Sequence, residues 1–256
     1  MAGDRELRRA VVVLNPSESK RLIGKAVAQL VEVRAAMEHG RVIIGNGTTN
    51  AYVAEELLGQ PVPKWRFAAG VIAGGRLDVT ESATRLAPVA LKRGEAFVGG
   101  WVELLKEFDA GDVFVKGGNA VDPEGNVGVL LASPVGGTVG QMLGTIAARG
   151  SHLIAPIGVE KLVPDVIEAA RHCGIQSTAH TDGTACGMAV LTNAQVVTEL
   201  EAFEVLAGVE AWHIASGGIG GSEGSVTIAL EGAAAAVEKA FKLAESLSGE
   251  APVVRE

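Results

Sequence analysis

Residues 41–58, RVIIGNGTTNAYVAEELL, constrain this chain more than any other stretch. Three branched apolar residues, Val42, Ile43 and Ile44, read as a buried strand. Gly45, Asn46 and Gly47 make a tight loop, and Thr48, Thr49 and Asn50 open an amphipathic helix. A buried strand that runs through a glycine turn into a helix is the unit of a layered α/β fold. It also leaves free backbone N–H groups at a helix N-terminus, where about half a positive charge gathers, so the loop suits a phosphate or carboxylate.

The chain has 256 residues, enough for one large domain or a large and a small one. With 48% hydrophobic and only 20% charged residues it reads as a folded chain, and some of its apolar surface is expected to be covered by a second subunit. The net charge of −8 and the lack of a Lys/Arg-rich run argue against nucleic acid as the ligand, because phosphate neutralisation needs a basic face. Two cysteines, Cys173 and Cys186, form no CxxC pair, and that usage fits a reducing cytoplasm. The uncharged stretch 127–148 is interrupted by Pro134 and several glycines, so it reads as strand, loop and helix and not as a membrane span.

Along the rest of the chain, residues 20–37 carry one helical pattern that Ser17 or Ser19 could cap. Residues 66–73, 112–115, 127–131 and 152–155 read as strands, while helices are expected at 102–108, from 137 to about 148, and at 164–172. This alternation implies a Rossmann-like parallel sheet flanked by helices over residues 1–188, with the glycine turns after Ile44, Ala73, Val115 and Leu131 all on the C-terminal edge where α/β proteins bind ligands. From residue 189 to 256 the pattern becomes βαββα, with a last short strand at 252–254 and a glycine-rich hairpin at 217–224. That order is the split-βαβ arrangement, a small ferredoxin-like α+β domain.

Two segments together resemble the superfamily of ribose-5-phosphate isomerase, glucosamine-6-phosphate deaminase and the CoA-transferases. One is the IGNGTTN loop at 44–50, similar to the isomerase's phosphate loop; the other is DVFVKGGNAVDPEGN at 112–126, similar to its D-G-A-D turn and to a turn of CoA-transferase subunits. The resemblance runs from about Gly40 to Val163 and implies the fold and a small-molecule substrate. The isomerase's two turn aspartates are matched by Lys116 and Asn119, and no Lys, Asp or Glu occurs between Glu124 and Arg149 to stand for its later lysine and glutamate. A carbon-to-carbon proton shift needs a base, and the matching positions offer none. Ser222-Glu223-Gly224 resembles the CoA-transferase nucleophile only in composition and lies outside the matching domain.

The candidate site therefore consists of Gly45, Asn46, Gly47, Thr48, Thr49 and Asn50 for the anion, with Lys116 and Asn119 at the reacting end and Gly117 and Gly118 clearing space beside them. Gly136, Gly137 and Thr138 form a second helix N-terminus, and Gly75 and Arg76 are expected to close the cleft. Lys116 is either a cationic clamp or, if buried, an amine of lowered pKa. Near His180, Asp182 and Cys186 a nucleophile and a base cluster in sequence, although a small buried cysteine and a loop histidine explain them as well. His180 and Asp182 lack further ligands nearby, so neither a metal nor a cofactor is expected. The expected partners are a small anionic metabolite and further copies of the chain, with no nucleic acid and no membrane. Whether the chain turns its ligand over, only binds it, or is an oligomeric structural protein that keeps the fold without the chemistry stays open at this point.

Overall fold

The computed structural model describes residues 7–255. From the N-terminal side it runs through β1 (Leu7–Leu14), α1 (Pro16–Gln29), α2 (Val31–His39), β2 (Arg41–Ile44), α3 (Thr48–Leu58), α4 (Lys64–Phe67), β3 (Gly70–Ala73), β4 (Arg76–Val79), β5 (Val89–Lys92), β6 (Glu95–Ala96) and α5 (Trp101–Lys106). It continues through β7 (Val113–Val115), β8 (Ala120–Val121), β9 (Val127–Leu131), α6 (Gly137–Arg149), β10 (His152–Pro156), a 3-10 turn (Val159–Lys161) and α7 (Val166–Arg171). It closes with β11 (Gly187–Leu191), β12 (Gln195–Val197), α8 (Glu199–Ala207), β13 (Glu210–Ser216), β14 (Val226–Ala233) and α9 (Ala234–Ser246).

The architecture is mixed α/β around a six-stranded sheet of order β12-β10-β7-β2-β5-β6. Its first four strands are parallel, and β5 and β6 turn antiparallel. Strands β2 and β7 are buried on both faces, as parallel strands covered by helices must be. Successive side chains point to opposite faces. Val42, Ile44, Val113 and Val115 join the core under α1 and α3, and Ile43 and Phe114 join the core under α5 and α6. Burying each of these side chains is worth about 1.5–3 kcal/mol. Helix α3 crosses α1 closely: a Cβ on Gly24 would lie 3.0 Å from the Tyr52 backbone. Arg21 of α1 ties that crossing down through Glu55 (2.6 Å), Glu56 (3.0 Å) and Glu250 (2.9 Å).

Several sequence expectations change. The helical run at 20–37 is divided at Leu30, whose ψ of 140° is not helical, and Asn15 is the residue at the N-cap of α1. Its N–H donates to Glu18 Oε2 (2.9 Å), while Ser17 and Ser19 lie in the first turn. Residues 66–73 are not a strand of the main sheet, because α4 takes 64–67 and only Gly70–Ala73 is extended, pairing with β4 in a two-stranded ribbon. Gly74 and Gly75 both hold positive φ (57° and 73°), the conformation of a two-residue hairpin turn. Residues 86–98 supply β5 and β6. No strand forms at 252–254.

Sheet membership does not follow the chain's two segments, 1–188 and 189–256. Strand β11 spans that boundary and pairs with β9, which also pairs with β8; β12 is an edge of the main sheet; and β1 joins β14 and β13 in a three-stranded antiparallel sheet of order β1-β14-β13. One continuous core runs from Val12 and Leu14 of β1 through β2 and β7 to Val237 and Ala240 of α9. No helix among the described residues is long and apolar enough to cross a membrane.

Candidate functional site

Strands β2 and β7 end side by side at the C-terminal edge of the sheet, with Gly45 N–H bonded to Val115 O and Lys116 N–H to Ile154 O (both 2.9 Å). The helix after β2, α3, lies on one face of the sheet and α6 on the other. A crevice opens where successive connections leave in opposite directions, and here it is a cleft of about 280 Å³. Its walls take in Asn46, Gly47, Thr48, Thr49 and Asn50; Lys116, Gly117, Gly118 and Asn119; and Gly136, Gly137 and Thr138. The turn after Leu131 reaches this edge although β9 belongs to a separate sheet.

Three expected residues lie elsewhere. Gly75 and Arg76 do not line the cleft, since they form the exposed turn of the β3–β4 ribbon; it is Gly70 and Val79, at the other end of that ribbon, that face the cleft. Gly45 is buried beneath it. A Cβ there would approach Lys116 Cδ to 3.2 Å, so this glycine makes room for the lysine stem. Arg85 and Lys161, which no sequence motif marks as ligand-binding, also line the cleft. Lys161 stood in the segment that carries the family resemblance, whereas nothing in the sequence around Arg85 points to the cleft.

Both helix N-termini are open. Neither α3 nor α6 has a side chain capping it, and Gly136 sits at the N-cap of α6 in the left-handed conformation (φ 76°). Asn46 does not cap α3, because its Nδ2 donates to Phe67 O (3.1 Å) and Leu86 O (2.9 Å) and so holds the neighbouring segment. Asn50 Nδ2 donates to Gly45 O (2.7 Å); its Oδ1 is fully buried without a partner and would be 3.1 Å from a Cβ on Gly117. Asn119 Oδ1 accepts from Leu130 N–H (3.0 Å), which leaves its Nδ2 side for a ligand.

The cleft lining holds three cationic side chains, Arg85, Lys116 and Lys161, and no carboxylate. Arg85 is held by Thr80, with Nε 2.7 Å from its Oγ1. Lys116 Nζ donates to Gly117 O (2.9 Å) and Lys161 Nζ to Gly118 O (3.1 Å), so consecutive carbonyls of one turn draw the two amines together. Burial, and then the charge of Lys161, push the Lys116 amine down to about 8. A second cleft adjoins through Thr48, Gly70, Asn119 and Lys161, and adds Lys20, Trp65, Val71 and Ile72.

Beneath Lys20 lies a carboxylate pair. Glu199 is buried, its Oε2 accepts from Val159 N–H (2.8 Å) and its Oε1 has no partner; Glu160 Oε2 has none either. A Cβ on Gly158 would collide with Glu160 Oε2 and lie 2.9 Å from Glu199 Oε1, so these two oxygens face one spot. Burial, and next the Glu160 charge, push Glu199 up to about 7. Lys20 is pushed down by burial, partly offset by Glu160, whose Oε1 is 3.9 Å away.

The segment 180–186 packs on the β3–β4 ribbon, and its Thr184 and Cys186 line a small pocket that shares Gly70, Asn119, Leu130 and Ala132 with the cleft. His180 and Asp182 are exposed, and burial raises the Cys186 thiol, the opposite of what a thiolate nucleophile requires. Among the described residues no group of three or more His, Cys, Asp or Glu is placed to hold a metal. No family model matches the chain, and no curated protein or solved structure shows significant similarity to it.

Proposed function

We propose that this chain binds a small phosphorylated or carboxylated metabolite at the C-terminal edge of the β2–β7 crevice, as an isomerase-like or transferase-like enzyme. One observation carries the reading: on a chain of net charge −8, a single cleft collects three cations and two uncapped helix N-termini with no carboxylate. Each donor set attracts an anion, and enclosure strengthens the attraction. The backbone N–H groups of Thr48, Thr49 and Asn50 meet the anion at one helix, with the Thr48 hydroxyl beside them, and Gly137 and Thr138 meet it at the other. Lys116 and Asn119 face the reacting end.

The order of loop, helix, glycine turn and second helix supports membership in the isomerase and CoA-transferase-like superfamily, with a Rossmann-like sheet and a C-terminal α+β unit of ferredoxin-like derivation completed by β1. Two unpaired cysteines support a cytoplasmic setting. The exposed apolar face of the β1-β14-β13 sheet, with Val11, Val13, Trp212 and Ile214, supports a homo-oligomer.

A second reading, a non-catalytic binding protein, is favoured by the lining's lack of any carboxylate, histidine or thiol to act as a base. Titration with inorganic phosphate and ribose 5-phosphate, followed by thermal shift and calorimetry, tests the common part. The wild type is expected to be stabilised. Thr48→Val should cost about tenfold in affinity and Lys116→Ala about tenfold or more, the range for a hydrogen bond to a charged group. If no phosphorylated or carboxylated compound shifts the melting temperature at millimolar concentration, the reading fails.

A further inference from the structure

We propose that Lys116 is a covalent site, whose amine captures the carbonyl of a small aldehyde or ketone that also carries a phosphate or carboxylate, forming a Schiff base. The inference rests on the anion-binding reading and adds the substrate's second functional group.

Most lysines of known surroundings here have a carboxylate within ion-pair reach: Lys64 with Glu55 (2.8 Å), Lys92 with Glu107 (2.6 Å), and Lys106 with Glu103 (2.7 Å). Lys116 Nζ donates to the carbonyl of Gly117, in a cleft whose lining contains no acid among the described residues. A carboxylate partner would hold the ammonium, which cannot attack carbon. The charged side chains that line this cleft beside it are positive, Lys161 on the 3-10 turn and Arg85 after β4, and the uncapped ends of α3 and α6 open on the same cleft. Desolvation beside another cation is a general way of activating a lysine nucleophile. With the amine near 8, its neutral fraction at pH 7.5 is roughly two-hundredfold that of an ordinary lysine.

The geometry leaves space for the attack. Gly117 and Gly118 present no side chain next to Nζ, and the anion-binding helix ends open on the same cleft. An oxo-anion seated on those ends has its carbonyl held against the lysine, and such positioning contributes most of the advantage in a bimolecular step. The balance closes with the groups present. The neutral Nζ lone pair forms the N–C bond as the C=O π bond breaks, and one nitrogen proton passes to oxygen to give a carbinolamine. The Lys161 ammonium then supplies a proton to the departing hydroxyl, water leaves, and the nitrogen keeps its last proton as an iminium. Lys161 recovers its proton from solvent.

Pyridoxal 5′-phosphate serves as a probe because it joins an aldehyde to a phosphate; pyridoxal is its control without the anion. Full-length protein is incubated with each, reduced with borohydride, and mapped by peptide mass spectrometry. The expected result is a dominant reduced adduct on Lys116 with the phosphate ester, slowed by inorganic phosphate, with a rate midpoint near pH 8. The adduct is absent from Lys116→Arg and Lys116→Met proteins whose circular dichroism matches the wild type. Phosphate binding without a Lys116 adduct, adducts scattered over exposed lysines, or a midpoint near the ordinary 10.5 would overturn the covalent step and leave the anion site standing. A Lys116 adduct formed equally by pyridoxal and indifferent to phosphate would instead overturn the anion site, and with it the oxo-anion substrate.

Discussion

The Glu160–Glu199 pair gives a stability prediction whose size follows from the structure. Glu199 is fully buried, and its carboxyl rises from an ordinary 4.5 to about 7 through burial first and the Glu160 charge second. Between those two pH values the folded chain holds a proton that the unfolded chain has released, so stability falls as pH rises. Each pH step across the window removes about 1.4 kcal/mol, and the full penalty above pH 7 is about 3 kcal/mol. Below about pH 4.5 both states are protonated and the penalty is gone. Protonation also makes the Glu199 Oε1 side a donor that faces the same spot as the partnerless Glu160 Oε2. Glu199→Gln keeps a carbonyl oxygen to accept from Val159 N–H and carries a permanent donor toward Glu160. It should exceed the wild type by under about 1 kcal/mol near pH 5 and by about 3 kcal/mol at pH 8. Urea unfolding from pH 5 to 8.5 measures both curves. Parallel curves across that range, or a variant less stable than the wild type at pH 8, would refute the shared-proton account.

Two further outcomes are expected. Asp112 is buried and accepts from the N–H groups of Arg41 and Asp109 (both 2.7 Å) and from Arg41 Nη1 (3.0 Å); Asp112→Ala should cost about 3–5 kcal/mol by stranding those donors, and a urea midpoint within error of the wild type would contradict it. Trp212 is 59% exposed and shares an outward row with Val11 and Ala229; light scattering should report an oligomer that Trp212→Ser together with Val11→Asp dissociates, and a monomeric wild type would remove the assembly.

How much of the site could be read from the chain depended on the range of the interactions that make it. The IGNGTTN loop was legible because a strand, a glycine turn and a helix start are all local, and the structure places residues 46–50 on the cleft. The glycine turns after Val115 and Leu131 were legible for the same reason. A strand of the main sheet at 66–73 would bring Arg76 to the cleft; the Gly74-Gly75 turn instead folds Arg76 away on a separate ribbon. Arg85 had no local signature, since it reaches the cleft through Thr80. The two helix N-termini were legible from their glycine turns, whereas what holds Asn46 away from the α3 end was not. Asn46 could have capped α3, and only its bonds to Phe67 O and Leu86 O show that it does not.

By itself the order of residues determined much of the alternation of strands and helices, the buried character of β2, and the glycine turns that end β2 and β7, because periodicity and turn chemistry act within a few neighbours. The partners of β1 and β12 were decided only in three dimensions. The same apolar alternation fits several sheets, and the choice rests on which faces bury the most surface together. The low-pKa lysine and the high-pKa glutamate were likewise left to the tertiary structure. Each side chain titrates ordinarily in an open chain, and it is the removal of water and the approach of Lys161 and Glu160 that shift them.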